Sequence, residues 1–276
     1  MKKRGEREFI KPIEGHDYEL ESRIFEAYRK IRKEQKQICE DCSKNAKILN
    51  GGHPVSFFGV GENFRQERYR VLFVGKTVQS GWEEDWKDGL RDEASGFIDA
   101  RERGRNLFLP FFGAYNWQFW QCIKEVSRKL FETNDPDELW KKIAITNIVK
   151  CSTSEGRDTT PVELKENCVS KAKFFQEEVK IIEPTHIIFF TGLDYDDYIK
   201  EIDFGCEYNG KKDNKGYQFL GEAKVLWWHR TFLKEGRPKI NFLRTNHPAH
   251  PMFRDAEVAE EFTTKIADWI RQNPVF

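Results

Sequence analysis

Arg70-Val71-Leu72-Phe73-Val74-Gly75 (RVLFVG) is a run of apolar, largely β-branched and aromatic side chains that stops at a glycine. A short apolar run without polar alternation suits a strand covered on both faces, as in a parallel sheet whose crossovers are helices. The terminal glycine lets the backbone leave the strand and approach other groups closely. Comparable runs occur at residues 143–149, 186–191, 224–228 and 240–244, and helical spacing lies between several of them, at 117–131, 162–182 and 255–272. Strands alternating with helices predict an α/β fold with a parallel sheet and functional loops at the carboxyl ends of its strands.

Upstream, Leu20, Ile24, Tyr28, Ile31 and Ile38 fall near helical spacing among charged residues, which predicts one amphipathic helix over residues 17–38 running into Cys39. Two polar stretches, residues 82–105 and 200–221, read as insertions on the core. The chain is therefore expected to be a single domain over residues 1–276, with an N-terminal helical extension at 1–38.

A length of 276 residues with 38% hydrophobic content permits a sizeable core. The opening MKKRGEREFIKPIEG has no apolar leader, and no run approaches the ~18 apolar residues of a membrane span, so a cytoplasmic protein without a membrane partner is expected. No obligatory protein partner is evident. The 46 basic and 46 acidic residues cancel, which gives no support to a nucleic-acid partner, although a local basic groove can coexist with an acidic remainder.

Six cysteines in a reducing compartment are more readily thiols or metal ligands than disulfides. Cys39-Glu-Asp-Cys42 is a Cys-x-x-Cys turn that lets two thiolates converge, and Cys151 and Cys168 would complete four ligands for a [4Fe-4S] cluster or a structural zinc. Spacing alone leaves iron-sulfur, zinc and no metal open. Cys122, inside an aromatic helical stretch, reads as a core thiol, and Cys206 has no assigned role.

Ile145-Thr146-Asn147-Ile148-Val149-Lys150-Cys151 resembles the ITNVVKC segment of the iron-sulfur uracil-DNA glycosylases, in which the cysteine is a cluster ligand. The family's other landmarks have counterparts in the same order: Cys39 and Cys42, the strand Val71 to Gly75, Cys168, and Asn246-His247-Pro248 in TNHPAHP. Pro110-Phe111-Phe112-Gly113 is similar to the family's PFVG, whose Phe stacks on the extruded base, and Glu183-Pro184-Thr185-His186-Ile187-Ile188 before Gly192 to its P-x-x-I…LG strand. The resemblance implies a three-layer αβα sandwich on a central parallel four-stranded sheet. It also implies a [4Fe-4S] cluster on Cys39, Cys42, Cys151 and Cys168, a DNA partner, and hydrolysis of the glycosidic bond of a flipped pyrimidine.

One loop departs from the family. Its Gly-Glu-Ala-Pro-Gly is replaced by Gly75-Lys76-Thr77-Val78-Gln79-Ser80-Gly81, so the water-activating carboxylate and the uracil-selective wall do not carry over. Asp85 in a following Glu-Asp pair is a candidate carboxylate, although a charged pair on a solvated insertion reads equally well. Phe111, with Phe112 and Tyr115 as alternatives, is the candidate stacking face; all three also suit a core. Asn147 offers donors and an acceptor to the edge of either pyrimidine type, and His247 is placed to stabilise charge at the departing base's O2. Lys76 could stabilise that base, contact phosphate, or attack the sugar as an amine in a strand-nicking enzyme. Loss of the Pro-Gly closure predicts a wide pocket, with Gly75, Thr77 and Gln79 along it. Such a pocket admits a bulky C5 substituent, such as the hydroxymethyl or glucosyl group of a phage cytosine, and would serve antiviral defence. A uracil-removing repair enzyme and a noncatalytic DNA-binding relative are the alternatives.

Overall fold

A computed structural model describes residues 12–45, 58–77, 118–150, 160–202, 204, 207–208, 214–234 and 237–275 of the chain. Helix α1 (Tyr18–Glu34) starts where the Asp17 carboxylate accepts the Leu20 N–H at 3.0 Å, satisfying a donor of the first turn. It ends at Gln35, and α2 (Lys36–Asn45) follows, so the single helix expected over 17–38 is two. The expected Cys-x-x-Cys turn is helical as well: Cys39 and Cys42 lie three apart on α2, on one helix face.

Strands β1 (Phe58–Val60) and β2 (Val71–Gly75) precede helices α3 (Gln118–Phe131) and α4 (Pro136–Trp140), and β3 (Ala144–Asn147) follows. The helical pattern at 162–182 is interrupted. It consists of α5 (Val162–Lys165), a π-helical turn at Glu166–Lys171 and α6 (Phe174–Ile182), with Lys173 in the left-handed region at φ 59° between the last two. Strand β4 (His186–Phe189), helix α7 (Asp196–Glu201), β5 (Glu207–Tyr208), β6 (Asn214–Leu220), β7 (Ala223–Lys234), β8 (Arg237–Thr245) and helix α8 (Ala256–Gln272) complete the described elements.

The fold is mixed α/β. Strands β3, β2, β4 and β8 are mutually parallel and adjacent, and they form the centre of the sheet. The sheet is larger than the four strands expected: among the described residues it has eight, in the order β1-β3-β2-β4-β8-β7-β5, with β6 also on β7. The added strands are antiparallel to their neighbours. The run at 224–228, expected to be one of the parallel strands, belongs to this antiparallel part, because a tight turn at Gly221 reverses the chain into it.

Alternate residues of each central strand enter two cores. Leu72, Val74, Ile187, Phe189 and Phe242 pack with α1 and α6, whereas Val71, Phe73, Ile145, Ile188 and Leu243 pack with α3 and α8. Helices therefore flank both faces, which is why these strands lack polar alternation. Helix α1, read as an extension, buries Leu20, Ile24, Phe25, Tyr28 and Ile31 in the first of these cores. No helix among the described residues is long and apolar enough to cross a membrane.

Candidate active site

From β2 the chain moves to one side for β3 and to the other for β4. This reversal opens a crevice at the carboxyl end of β2, where open α/β sheets bind ligands. The loops leaving β2 and β3 stay zipped beyond the strands, since Ile148 N–H donates to Gly75 O and Val149 N–H to Lys76 O, both at 3.0 Å. The crevice floor is thus held by backbone hydrogen bonds.

Asn147 ends β3 directly opposite Gly75 in the ladder and is 8% exposed. A Cβ at position 75 would collide with Asn147 Oδ1 and come within 3.3 Å of Phe119 Cζ. Glycine is required there by close approach, and its hydrogen leaves room for the Asn147 amide. Phe119, on the first turn of α3, stacks on the His247 ring with centroids 5.5 Å apart and planes 10° from parallel. It also meets Trp120 and Phe190 edge-on.

His247 follows β8. Its position is set by Asn246, whose Oδ1 accepts the Leu226 N–H of β7 at 2.7 Å, and by a turn in which His250 N–H donates to His247 O at 2.9 Å. Ala249 N–H donates to His247 Nδ1 at 3.2 Å, so in the neutral ring the proton sits on Nε2, which is a donor. Burial, reinforced by the positive charge of Lys76, pushes the His247 pKa down to about 4. The ring is neutral near pH 7, and Lys76 is close enough for its charge to be felt.

The structure brings Gly75, Lys76, Asn147 and His247 to one crevice, and Thr77 continues the β2 loop beside them. Asp85, Gln79, Phe111, Tyr115 and Cys151 lie outside the described residues. Phe119 was missed by sequence reasoning: it sits in an amphipathic helix rich in aromatics, where nothing local separates it from its core neighbours.

Beneath the crevice lies a buried polar network that the sequence reading did not name. Lys150 Nζ donates to Glu178 Oε2 at 2.5 Å, to Thr146 Oγ1 at 2.7 Å and to the Asn147 backbone carbonyl, with both charged side chains unexposed. Tyr28 OH donates to the other Glu178 oxygen. Burial drives the Lys150 pKa down and that of Glu178 up, and each partner's charge opposes the shift. Their chain separation of 28 residues leaves no local signal for the pair.

The same residue touches the thiols, since Lys150 N–H donates to Cys168 Sγ at 3.2 Å. Cys42 Sγ accepts from Asn167 Nδ2 at 3.0 Å. Cys39, Cys42 and Cys168 share one neighbourhood: burial above all pushes Cys168 up to about 12, and the other two thiols add to the rise. Burial raises Cys39 and Cys42 also. Soft sulfur donors on two facing helical segments suit iron-sulfur or zinc ligation. Among the described residues no group of three side chains stands at metal-ligand spacing. Cys122 is fully buried on α3, in the opposite core.

Comparison with protein-family models, curated proteins and solved structures returned no match.

Proposed function

We propose that the chain is a DNA glycosylase that removes an altered pyrimidine extruded from the helix. The observation that carries this reading is the meeting of Gly75, Asn147, His247 and Lys76 at the topological switch point, the positions where the resembling family places its base pocket. In this reading the finer fold is that family's three-layer αβα sandwich, whose four-stranded parallel sheet corresponds to β3-β2-β4-β8.

The chemistry follows from the groups present. The bond between sugar C1′ and pyrimidine N1 breaks with its electron pair leaving on the base. Water then adds to C1′ and loses a proton, which ends on the released base. Charge on the departing base spreads to O2, where the neutral His247 Nε2–H donates a hydrogen bond that strengthens as charge grows. A nearby Lys76 ammonium favours the same development. Asn147 reads the base edge, with its amide aimed by the fixed β3 end, and Phe119 braces the His247 ring. Asp85 is the candidate for activating water.

Cys39, Cys42, Cys168 and Cys151 are proposed to hold a [4Fe-4S] cluster, with structural zinc as the alternative. The group would tie α2 and the π-helical turn to the strand end that carries Asn147. The substrate proposed is a cytosine with a hydroxymethyl or glucosyl group at C5, as in phage DNA, because the first loop lacks the closure that excludes a C5 substituent. Incubation with duplexes carrying uracil or C5-modified cytosines, followed by alkali cleavage, tests the reading. Strand breaks at modified cytosine support it, release of uracil alone marks a repair enzyme, and DNA binding without release marks a noncatalytic relative.

A further inference from the structure

The stretch at 200–221 contributes β6, and the β6–β7 hairpin extends past the end of β8 on the side of the crevice. Trp227 pairs with Thr245, the last residue of β8, so residues 223–226 of β7 and their partners 217–220 of β6 project beyond it. The projection is anchored. Leu220, Val225 and Trp227 point into the core shared with α8, and Leu226 N–H holds Asn246, the residue before His247.

The other face of this projection is open. Tyr217 pairs with Leu226 and Phe219 with Lys224, and residues two apart or directly opposite share a face of a sheet. Tyr217 is 49% exposed and Phe219 64% exposed, and Lys224 Nζ stands 3.7 Å from the Tyr217 ring centroid. Two exposed rings, with an ammonium seated over one of them, on a hairpin continuous with the His247 loop suit a partner that offers flat π faces and negative charge together. A second copy laid on this face would offer a further ammonium and no negative charge from these three side chains. Unpaired nucleotides offer both features, since bases stack on aromatic rings and the backbone carries phosphate.

We infer that Tyr217, Phe219 and Lys224 form a platform that holds the unpaired DNA strand flanking the extruded base. The inference rests on the glycosylase reading and adds to it a strand-binding surface and a preference for opened DNA. A glycosylase that must keep a bulky modified nucleotide out of the helix gains from capturing its neighbours once they unstack.

The test uses the full chain and a fluorescein-labelled single-stranded 20-mer beside its unmodified duplex, with binding followed by anisotropy at several salt concentrations. Tyr217→Ala/Phe219→Ala is expected to weaken single-strand binding about ten-fold or more and duplex binding far less. Lys224→Gln should lower the salt dependence of single-strand binding by a slope of about 0.7, one phosphate contact. All three side chains are exposed, and the single variant Phe219→Ser with an unchanged melting curve guards against a folding artefact. Equal single-strand affinity in all proteins overturns the platform while leaving the glycosylase reading intact if base release persists. Absence of DNA binding by the unaltered chain overturns both. Conversion from dimer to monomer on Phe219→Ser, seen by sedimentation, would assign the face to a second copy and overturn the platform.

Discussion

The Lys150 ammonium and the Glu178 carboxylate stand 2.5 Å apart with neither side chain exposed, directly under the strand end that carries Asn147. Removing one partner leaves the other charged in a low-dielectric interior. Lys150→Met is expected to destabilise the fold by about 3–5 kcal/mol, whereas Lys150→Met/Glu178→Leu recovers part of that loss, the Tyr28 and Thr146 hydroxyls losing Glu178 as their acceptor. Urea unfolding of both proteins checks it, and a double variant no more stable than the single one refutes the pairing argument.

Gly75→Ala places a methyl group against Asn147 Oδ1 and Phe119. The amide must move, so base release should fall at least about ten-fold, the effect of losing one pocket hydrogen bond. Gly216→Ala, where nothing lies within 4 Å, is the control and should act at the unaltered rate. Equal activities would show that Asn147 is not held by Gly75.

Asn147→Ala should slow release of the true substrate by an amount matching hydrogen bonds worth roughly 1–3 kcal/mol, and largely spare affinity for unmodified DNA. Parallel loss of both would make Asn147 structural. The comparison needs only turnover and anisotropy on the same preparation.

Burial lowers the pKa of three histidines and so sets a pH dependence of stability, His229 in the same direction as the two that follow. His186 is pushed down to about 4 by burial, with Nε2 facing the Asn273 carbonyl at 2.9 Å, and His247 is also near 4. Both folded values lie below the unfolded value of about 6.5, so between those limits the unfolded chain binds more protons and stability falls as pH drops. The steepest slope expected is about 1.4 kcal/mol per pH unit for each histidine. Unfolding curves at pH 7, 5.5 and 4.5 should show a shallower decline for His186→Gln than for the unaltered chain; parallel declines contradict the assignment.

Cys168→Ala should cost folding more than chemistry, because metal binding and folding are coupled. Loss of visible iron-sulfur absorption together with a lowered melting temperature is the expected result. A stable, fully active variant would remove Cys168 from the ligand set.

The central strands were legible because β2, β3, β4 and β8 are covered on both faces and announce themselves as apolar runs. Asn147 and His247 were found through their neighbours in ITNIVKC and NHP. Strand direction was not legible: the apolar run at 224–228 looks like the buried parallel strands, and only the Gly221 turn makes it antiparallel. The break inside 162–182 was hidden because Leu164, Cys168, Phe175 and Val179 keep helical spacing across Lys173. Phe119 and Lys150 escaped for related reasons, one being an aromatic among aromatics and the other a lysine whose partner is remote in the chain.

The central strand order also has a kinetic side. Thr185 Oγ1 accepts the Arg70 N–H across 115 residues, and β2 is flanked only by strands made long after it. Contacts this distant close large loops before they return any stabilisation, which slows folding and leaves strand edges open meanwhile. On the ribosome, β2 would emerge and wait. The candidate site is incomplete until the turn after Thr245 has left the exit tunnel, and a chain cut short within β8 would present an unfinished sheet to the cell's chaperones and proteases.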